Sequence, residues 1–317
     1  MILNRGDQTL AIRALKSAAP YIRMYKGKTF VVKAGGGVFA DTESTRVLIE
    51  QIGILHYFGV RVVMVHGGGP QVTELSDALG LQTHMVHGRR VTDQKSIDVT
   101  AMVLNGLINT RILGICRDLN IDAVGISGVD AGLVRAHKRP PVKLDDGSGQ
   151  TVDYGFVGDI DGVDTSVIKK LLDNGLMPVV SPLSADQSGT LLNINADTVA
   201  AAIGAALSAE KLILCTGAPG ILERVDDPGS LISYTDLRGL KRLKDEKRIV
   251  DGMLPKAKAI EDALRGGVRR VHVVSYKSPE GILGEVFTNE GTGTLIVADV
   301  NVIPPDEQQN GDVKVGG

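Results

Sequence analysis

The chain has 317 residues, 35 of them basic and 37 acidic for a formal charge of −2, and 43% of it is hydrophobic. That balance fills a large core but creates no global field for nucleic acid or an anionic membrane surface, so small molecules and other subunits are the expected partners. Two cysteines without CxxC or Cys/His spacing indicate neither a disulfide framework nor a zinc site. The N-terminus lacks a secretory h-region and no apolar run approaches the roughly 20 residues that span a bilayer, so a cytoplasmic protein that touches no membrane is expected.

Residues 1–28 set Leu10, Ala14, Leu15, Ala18 and Ile22 at helical spacing, an amphipathic helix in need of a partner surface and expected to kink at Pro20. Residues 29–33 read as a buried strand. Asp41 can then cap a helix that carries Val47, Leu48, Ile52 and Leu55 on one face and ends at Gly59. Residues 60–65 form the next apolar strand. A repeat of roughly 30 residues is that of a right-handed βαβ unit, which makes the two strands parallel and puts their C-terminal loops at one edge of the sheet. Pro70 stands where a first helical residue belongs, followed by Val72, Leu75 and Leu79. A helix-rich stretch, 94–119, leads to a strand at 123–126. Between 132 and 160, short alternating runs broken by Pro140-Pro141 and the turn at 146–149 read as β-hairpins at a sheet edge. Helix 164–174, strand 177–181, helix 197–208, strand 211–215, helix 255–265 and strand 270–275 resume the alternation. The expected fold class is therefore α/β, a three-layer αβα sandwich with a mainly parallel central sheet, plus β-hairpins and the N-terminal helix. The end of the chain reads as a disordered tail.

Two glycine runs, VVKAGGG at 31–37 and MVHGGGP at 64–70, follow the first two strands. Glycine lets backbone N–H groups approach anionic oxygens, and Lys33 supplies a positive charge; the plainer alternative is a pair of tight turns. A Walker GxxxxGK[ST] and a GxGxxG are both absent from the sequence, which weakens the P-loop and dinucleotide readings. Lys33 ends a buried apolar strand, an unfavourable place for a charge unless it snorkels out or meets a counter-charge. In LLNINAD, Asp197 can serve as an N-cap, whereas Asn193 and Asn195 are not needed for one and remain available to a ligand. Lys256 begins a helix, the end where a cation is out of place unless an anion binds nearby. Alternation sends Arg89 and Arg90 in opposite directions, and a planar guanidinium suits a substrate carboxylate.

With KAGGG, HGGGPQ, HGRRVTD, NINAD and DGMLPK in this order between about 29 and 297, the chain resembles the amino acid kinase family, in its acetylglutamate-phosphorylating branch. The resemblance implies an N-terminal oligomerisation helix (1–28), an acetylglutamate-binding lobe (29–190), a nucleotide-binding lobe (191–300) and a disordered tail (301–317). It implies ATP, with Mg²⁺ carried by the ATP and not by protein ligands, and transfer to the γ-carboxylate of N-acetyl-L-glutamate in arginine biosynthesis. Lys33 and Lys256 would flank the migrating phosphoryl and Asp197 would orient both. Gly36, Gly67, Gly68, Arg90 and Asn193 would serve the acceptor, and Gly35, Gly217, Gly220 and Lys256 the nucleotide. The segment PYIRMYKGK is similar to that of arginine-inhibited relatives, which carry an extra N-terminal helix that links dimers into a hexamer; their arginine site resembles Tyr21, Lys211, His272, Glu285 and Gly291 here. Thr216-Gly217-Ala218 stands where many relatives have Thr-Asp-Val, Arg89 where an apolar residue is usual, and Val129 where lysine is frequent. Two other readings follow from the same residues: a sister kinase acting on acetylaminoadipate, one methylene longer, and a non-catalytic arginine sensor.

Overall fold

The computed structural model describes residues 5–302, apart from 83, 87–88, 144–149, 225, 250–251 and 290. The tail beyond 302, the turn at 146–149, His87 and Gly88 of HGRRVTD, the side chains of Arg89 and Arg90, and Asp251 of DGMLPK lie outside the described residues.

Helix α1 (Arg5–Tyr25) runs as one element through Pro20 into strand β1 (Thr29–Ala34). Asp41 caps helix α2 (Thr42–Tyr57) as expected, its carboxylate accepting from the Ser44 N–H at 2.7 Å, and Gly59 turns the chain at φ +84° into strand β2 (Arg61–His66). Helix α3 (Gly69–Ala78) follows with Pro70 in its first turn, then the hairpin β3 (His84–Val86) and β4 (Arg89–Val91). A 25-residue helical run joins α4 (Gln94–Ala101), a π-helical segment (Met102–Ile108) and α5 (Asn109–Asp118). Next come β5 (Ala123–Ser127), β6 (Val134–Lys138), β7 (Val142–Lys143), β8 (Thr151–Val152), β9 (Gly158–Val163), α6 (Ser166–Asp173), β10 (Met177–Ser181), β11 (Leu183–Ala185) and β12 (Leu191–Asn193). Helix α7 (Ala196–Ala206), β13 (Lys211–Thr216), β14 (Tyr234–Asp236), α8 (Leu237–Asp245), α9 (Met253–Arg265), β15 (Arg270–Ser275), α10 (Gly281–Phe287) and β16 (Thr294–Val297) complete the described chain.

Eight strands form the central sheet in the order β14-β16-β15-β13-β1-β2-β10-β5. Six of them run parallel, and β16 pairs antiparallel with β15, so β14 and β16 reverse the direction at one edge. The segment expected to form β-hairpins at a sheet edge does so, in a second, four-stranded sheet separate from the central one. There β6 pairs antiparallel with β9 across the intervening β7–β8 hairpin, and β11 and β12 extend it.

Strand alternation divides the core. Val31, Val63, Val65, Leu212 and Leu214 face α6, α7, α8 and α9, while Phe30, Val32, Val62, Met64 and Ile213 face α2, the 94–118 helix and α10. Against the expectation from the sequence, that helix is long and apolar enough to cross a membrane by length and composition. Its Val99, Val103, Leu104, Ile108 and Ile112 are buried in the core on that face of the sheet, which accounts for its apolar content as a core helix. Phe30 is fully buried, edge-on to Tyr25 at 5.2 Å between ring centroids. Phe30→Ala is expected to lower the unfolding free energy by about 3–5 kcal/mol, seen as a lower urea midpoint at unchanged slope.

Candidate active site

The order of the strands selects the place. From β1 the chain passes through α2 to β2 on one side, whereas β13 lies on β1's other side and leads outward to β15, so the connections diverge between β1 and β13. In an open parallel sheet, a crevice forms at the C-terminal ends of such a pair. Lys33 lies there, opposite Leu214 of β13 and Val65 of β2.

Alternation with Val31 turns Lys33 toward the face covered by α7 and α9, whose N-terminal ends bring the partners. Helix α7 begins at Ala196, and its cap is Asn195, whose side chain accepts from the N–H groups of Asp197 at 2.8 Å and Thr198 at 3.3 Å. Asp197 is therefore not the cap that the sequence allowed. With capping supplied by Asn195, its carboxylate is released for a different partner: it sits in the first helical turn, where the helix dipole favours a negative charge. Lys33 Nζ lies 2.9 Å from Asp197 Oδ1, and Lys256 Nζ, from the first turns of α9, lies 3.0 and 3.1 Å from its two oxygens. All three residues are more than nine-tenths buried.

Two ammonium groups share one carboxylate, so the cluster carries one positive charge in excess. Burial pushes the Asp197 carboxyl up, but Lys33 and Lys256 together outweigh it and hold the group below its ordinary range. Burial, with repulsion from Lys33, lowers the proton affinity of Lys256 against the pull of Asp197. Burial also pushes the neighbouring Cys215 thiol up to about 12, so it adds no charge. A cation placed at a helix N-terminus, short of counter-charge and closed from water, is arranged for an incoming anion.

The two glycine runs meet beside these lysines. A methyl at Gly36 would stand 2.7 Å from Pro70 Cδ and 3.1 Å from Gly68 Cα, and one at Gly68 would stand 2.4 Å from Ile108 Cδ1. A methyl at Gly67 would meet the Gly36 nitrogen and Ala196 Cβ at 3.6 Å, and one at Gly35 would lie 3.7 Å from Lys33 Nζ. None of the four is left-handed; Gly36 is where the backbones of the two runs approach closely, Gly68 makes room for the Ile108 and Leu104 side chains, and methyls at Gly35 and Gly67 would meet only ordinary contacts. Gln71 straps the runs together, its Nε2 donating to the Gly36 carbonyl at 2.8 Å, while its buried Oε1 has no partner among the described residues. His66 holds the base of the second run: its Nδ1 is 3.2 Å from the Gly67 carbonyl and its Nε2 3.2 Å from Asn109 Nδ2. Burial pushes its proton affinity down to about 4, so this ring is neutral. Neither Gln71 nor His66 emerged from the sequence as a site residue; a glutamine two positions into a helix that follows glycines had no capping task and was the available signal.

Asn193 closes β12 just before the Asn195 cap. Gly217 follows β13 at the same sheet edge, while Gly220 packs away from it, where a methyl would meet Leu231 and Thr294 at 2.6 Å. Arg90's backbone lies in the β3–β4 hairpin, opposite Met85. The remaining residues form a second cluster on the other face of the sheet, near the N-terminal ends of β13 and β15. Lys211 Nζ lies 2.9 Å from His272 Nε2, and His272 Nδ1 lies 2.7 Å from Glu285 Oε1. Glu285 Oε2 accepts from the N–H groups of Thr292 at 2.7 Å and Gly293 at 2.9 Å, and a methyl at Gly291 would stand 2.9 Å from it. Tyr21 reaches Asn289 beside this cluster and meets Phe287 edge-on. Burial pushes Lys211 down to about 7 and His272 to about 4.

Buried lysines sharing a carboxylate beside paired glycine loops, at the switch point of a parallel sheet, define the kind of site that grips a transferring phosphoryl group. Residues 28–275 match the amino acid kinase family, and the chain belongs to it. An acetylglutamate kinase from Myxococcus xanthus is 47% identical over 289 residues, 90% of this chain and 94% of that one. One from Archaeoglobus fulgidus is 40% identical over 286 residues, 90% and 98% of the two chains. Among solved structures, N-acetylglutamate synthase from Neisseria gonorrhoeae superposes with a TM-score of 0.78 at 27% identity in its complex with coenzyme A and N-acetyl-glutamate, and 91% of this chain spans 64% of that one. Its complex with coenzyme A and L-arginine gives 0.77 at 26% identity, over 91% and 65%.

Asp197→Asn leaves two buried lysines facing a neutral amide and is expected to cost about 3–5 kcal/mol at neutral pH in urea unfolding. Because the folded carboxyl titrates below its unfolded value of about 3.9, its contribution is complete above that pH and fades as pH falls through the folded value. The gap between wild type and Asp197→Asn is therefore expected to narrow under acid.

Proposed function

We propose that this protein transfers the γ-phosphoryl group of ATP to the γ-carboxylate of N-acetyl-L-glutamate, giving N-acetylglutamyl 5-phosphate and ADP, as a cytoplasmic step of arginine biosynthesis. The observation that carries the proposal is the buried Lys33–Asp197–Lys256 cluster with its surplus positive charge against two glycine loops. The acetylglutamate kinases that are 38–47% identical to this chain supply the acceptor.

The attacking carboxylate is already ionised at neutral pH, so no general base is needed. One of its oxygens forms a bond to the γ-phosphorus as the bond to the β,γ-bridging oxygen breaks, and the leaving electron pair stays on ADP. The protein's work is alignment and charge stabilisation. Lys33 and Lys256 lie on either side of the transferring group and meet the charge on its oxygens, with N–H groups of Gly36 and Gly68 as further donors. Asp197 holds both ammonium groups in register and stays out of the chemistry. Gly67, Asn193 and Arg90 belong to the acceptor side, within a lobe of 29–190. Gly35, Gly217, Gly220 and Lys256 belong to the nucleotide side, within 191–300. Both oxygens of Asp197 are engaged by lysines, so Mg²⁺ would enter with the ATP and not on this carboxylate, and would supply charge neutralisation on the phosphates.

We further propose feedback inhibition by arginine at Tyr21, Lys211, His272, Glu285 and Gly291, in an oligomer built on dimers and extended to a hexamer by α1. Its support is the gathering of these residues around one carboxylate, and the L-arginine complex of the Neisseria synthase, which shares the fold. A guanidinium is the bidentate partner such a carboxylate accepts. Glu285 is held by His272 here, so arginine has to displace that ring. Acetylaminoadipate is the nearest competing acceptor, and one methylene is worth about 1–3 kcal/mol of discrimination.

With MgATP, acetylglutamate and hydroxylamine, the protein is expected to accumulate a hydroxamate; no product under conditions where acetylaminoadipate is turned over overturns the acceptor. Lys33→Ala is expected to lower kcat by about 10²–10³-fold, the scale of losing one preorganised donor. Arginine is expected to inhibit the full chain, and deletion of residues 1–24 to relieve that inhibition and reduce the sedimenting mass.

A further inference from the structure

Tyr276 follows the last residue of β15 and is fixed there by its backbone, whose N–H donates to the Thr216 carbonyl at the end of β13 at 2.9 Å. From that anchor the side chain lies across the C-terminal edge of the sheet, over β13 and as far as the loop that leaves β1. A methyl at Gly37 would stand 2.7 Å from the Tyr276 hydroxyl oxygen, and a methyl at Gly217 3.3 Å from it. Two glycines from two separate strand ends thus make room for a single phenol. Gly37 is the outer residue of the first glycine run, and its inner residue, Gly35, is the one whose added methyl would lie 3.7 Å from Lys33 Nζ. The Lys33 ammonium and the Tyr276 hydroxyl therefore bracket one loop.

A ring that only filled this space would be served by phenylalanine. The side chain is half-buried, its ring packed against the apolar cluster that includes Phe30, Val38 and Val274, and its hydroxyl donates to no group among the described residues. Gly37 and Gly217 lie beside it, with the surplus positive charge of Lys33, Asp197 and Lys256 at the far end of the loop. A phenol O–H in such a place is matched to an acceptor that arrives with the ligand, and phosphate oxygens are strong acceptors.

We propose that Tyr276 is a nucleotide-positioning residue, its hydroxyl donating to a phosphate oxygen of the bound nucleoside triphosphate. The phosphate chain then lies along the first glycine run, held at its inner end by Lys33 and at its outer end by Tyr276. Gly37 and Gly217 are small because the phenol has to reach the chain between them. The proposal rests on the kinase reading for the identity of the nucleotide, and concerns the donor side of the reaction alone.

Tyr276→Phe removes the hydroxyl and keeps the ring. Calorimetric titration of MgADP and of a non-hydrolysable MgATP analogue is expected to give dissociation constants about tenfold or more above wild type, the size of one lost hydrogen bond to a charged group. The KM for MgATP should rise in step, while the KM for acetylglutamate and the thermal midpoint stay at wild-type values. Equal nucleotide affinities in the two proteins overturn the proposal and leave the ring as packing. Weaker nucleotide binding in Tyr276→Phe together with no turnover of acetylglutamate by wild type overturns the acceptor and sustains the role of Tyr276. A wild type that binds neither nucleotide overturns both.

Discussion

Asp197 accepts from Lys33 and Lys256 in a place where all three charges are largely buried, and the layout of the site follows from that one interaction. Each partner comes from a different element: the end of β1, the first turn of α7 and the first turns of α9. Bringing them within 3.1 Å requires α7 and α9 to lie side by side on one face of the sheet with their N-terminal ends at the strands' C-terminal edge. Buried ion pairs are poor stabilisers, because removing charges from water costs about as much as their attraction returns. A cluster that also leaves one charge unmatched is poorer still, and its arrangement makes sense as preparation for an anion.

The second cluster repeats the chemistry without the surplus. Lys211, His272 and Glu285 form a closed chain of hydrogen bonds on the opposite face, and the carboxylate is fully used by His272 and two backbone N–H groups. The two clusters share strands: β13 carries Lys211 at its start and reaches the phosphoryl site at its end, with β15 beside it. A shared rigid strand does not by itself couple two sites, since coupling needs an element with two arrangements. Helix α1 lies beside the second cluster. Its C-terminal end touches the body through Tyr21 and Tyr25, while Leu10, Ile12 and Leu15 in its first half stay exposed.

Most of the fold was legible because buried parallel strands and amphipathic helices write their periods plainly. The βαβ start, the cap at Asp41 and the strand carrying Lys33 all follow from local pattern. Residues 132–160 were legible as hairpins at a sheet edge, but not as a sheet separate from the main one, because the pairing between β6 and β9 is a non-local choice that alternation does not encode. Asp197 and Asn195 exchanged roles for a similar reason. Both can cap a helix, and what decides between them is a pair of lysines, both far off in sequence. The membrane-like length of 94–118 was missed because its apolar residues are interrupted by polar ones that lie on the other side of the helix. Tyr276 carried no sequence signal at all, since its meaning lies in two glycines on other strands.

Charge carries the reasoning from the resting site toward the occupied one. In the resting site Lys256 holds its proton less firmly than a free lysine, through burial first and Lys33 second, and Asp197 only partly compensates. A polyanion entering between the lysines reverses the second of these influences, since each ammonium then sees the phosphate before it sees the other ammonium. The ligand thereby strengthens the charge that binds it, and the binding energy is concentrated on the oxygens of the group that moves. Asp197, bonded to both ammonium groups, fixes the position of each relative to the other. The glycine loops are fixed in a comparable way: Gly36 packs against Pro70 and Gly68, and Gln71 ties its carbonyl to α3.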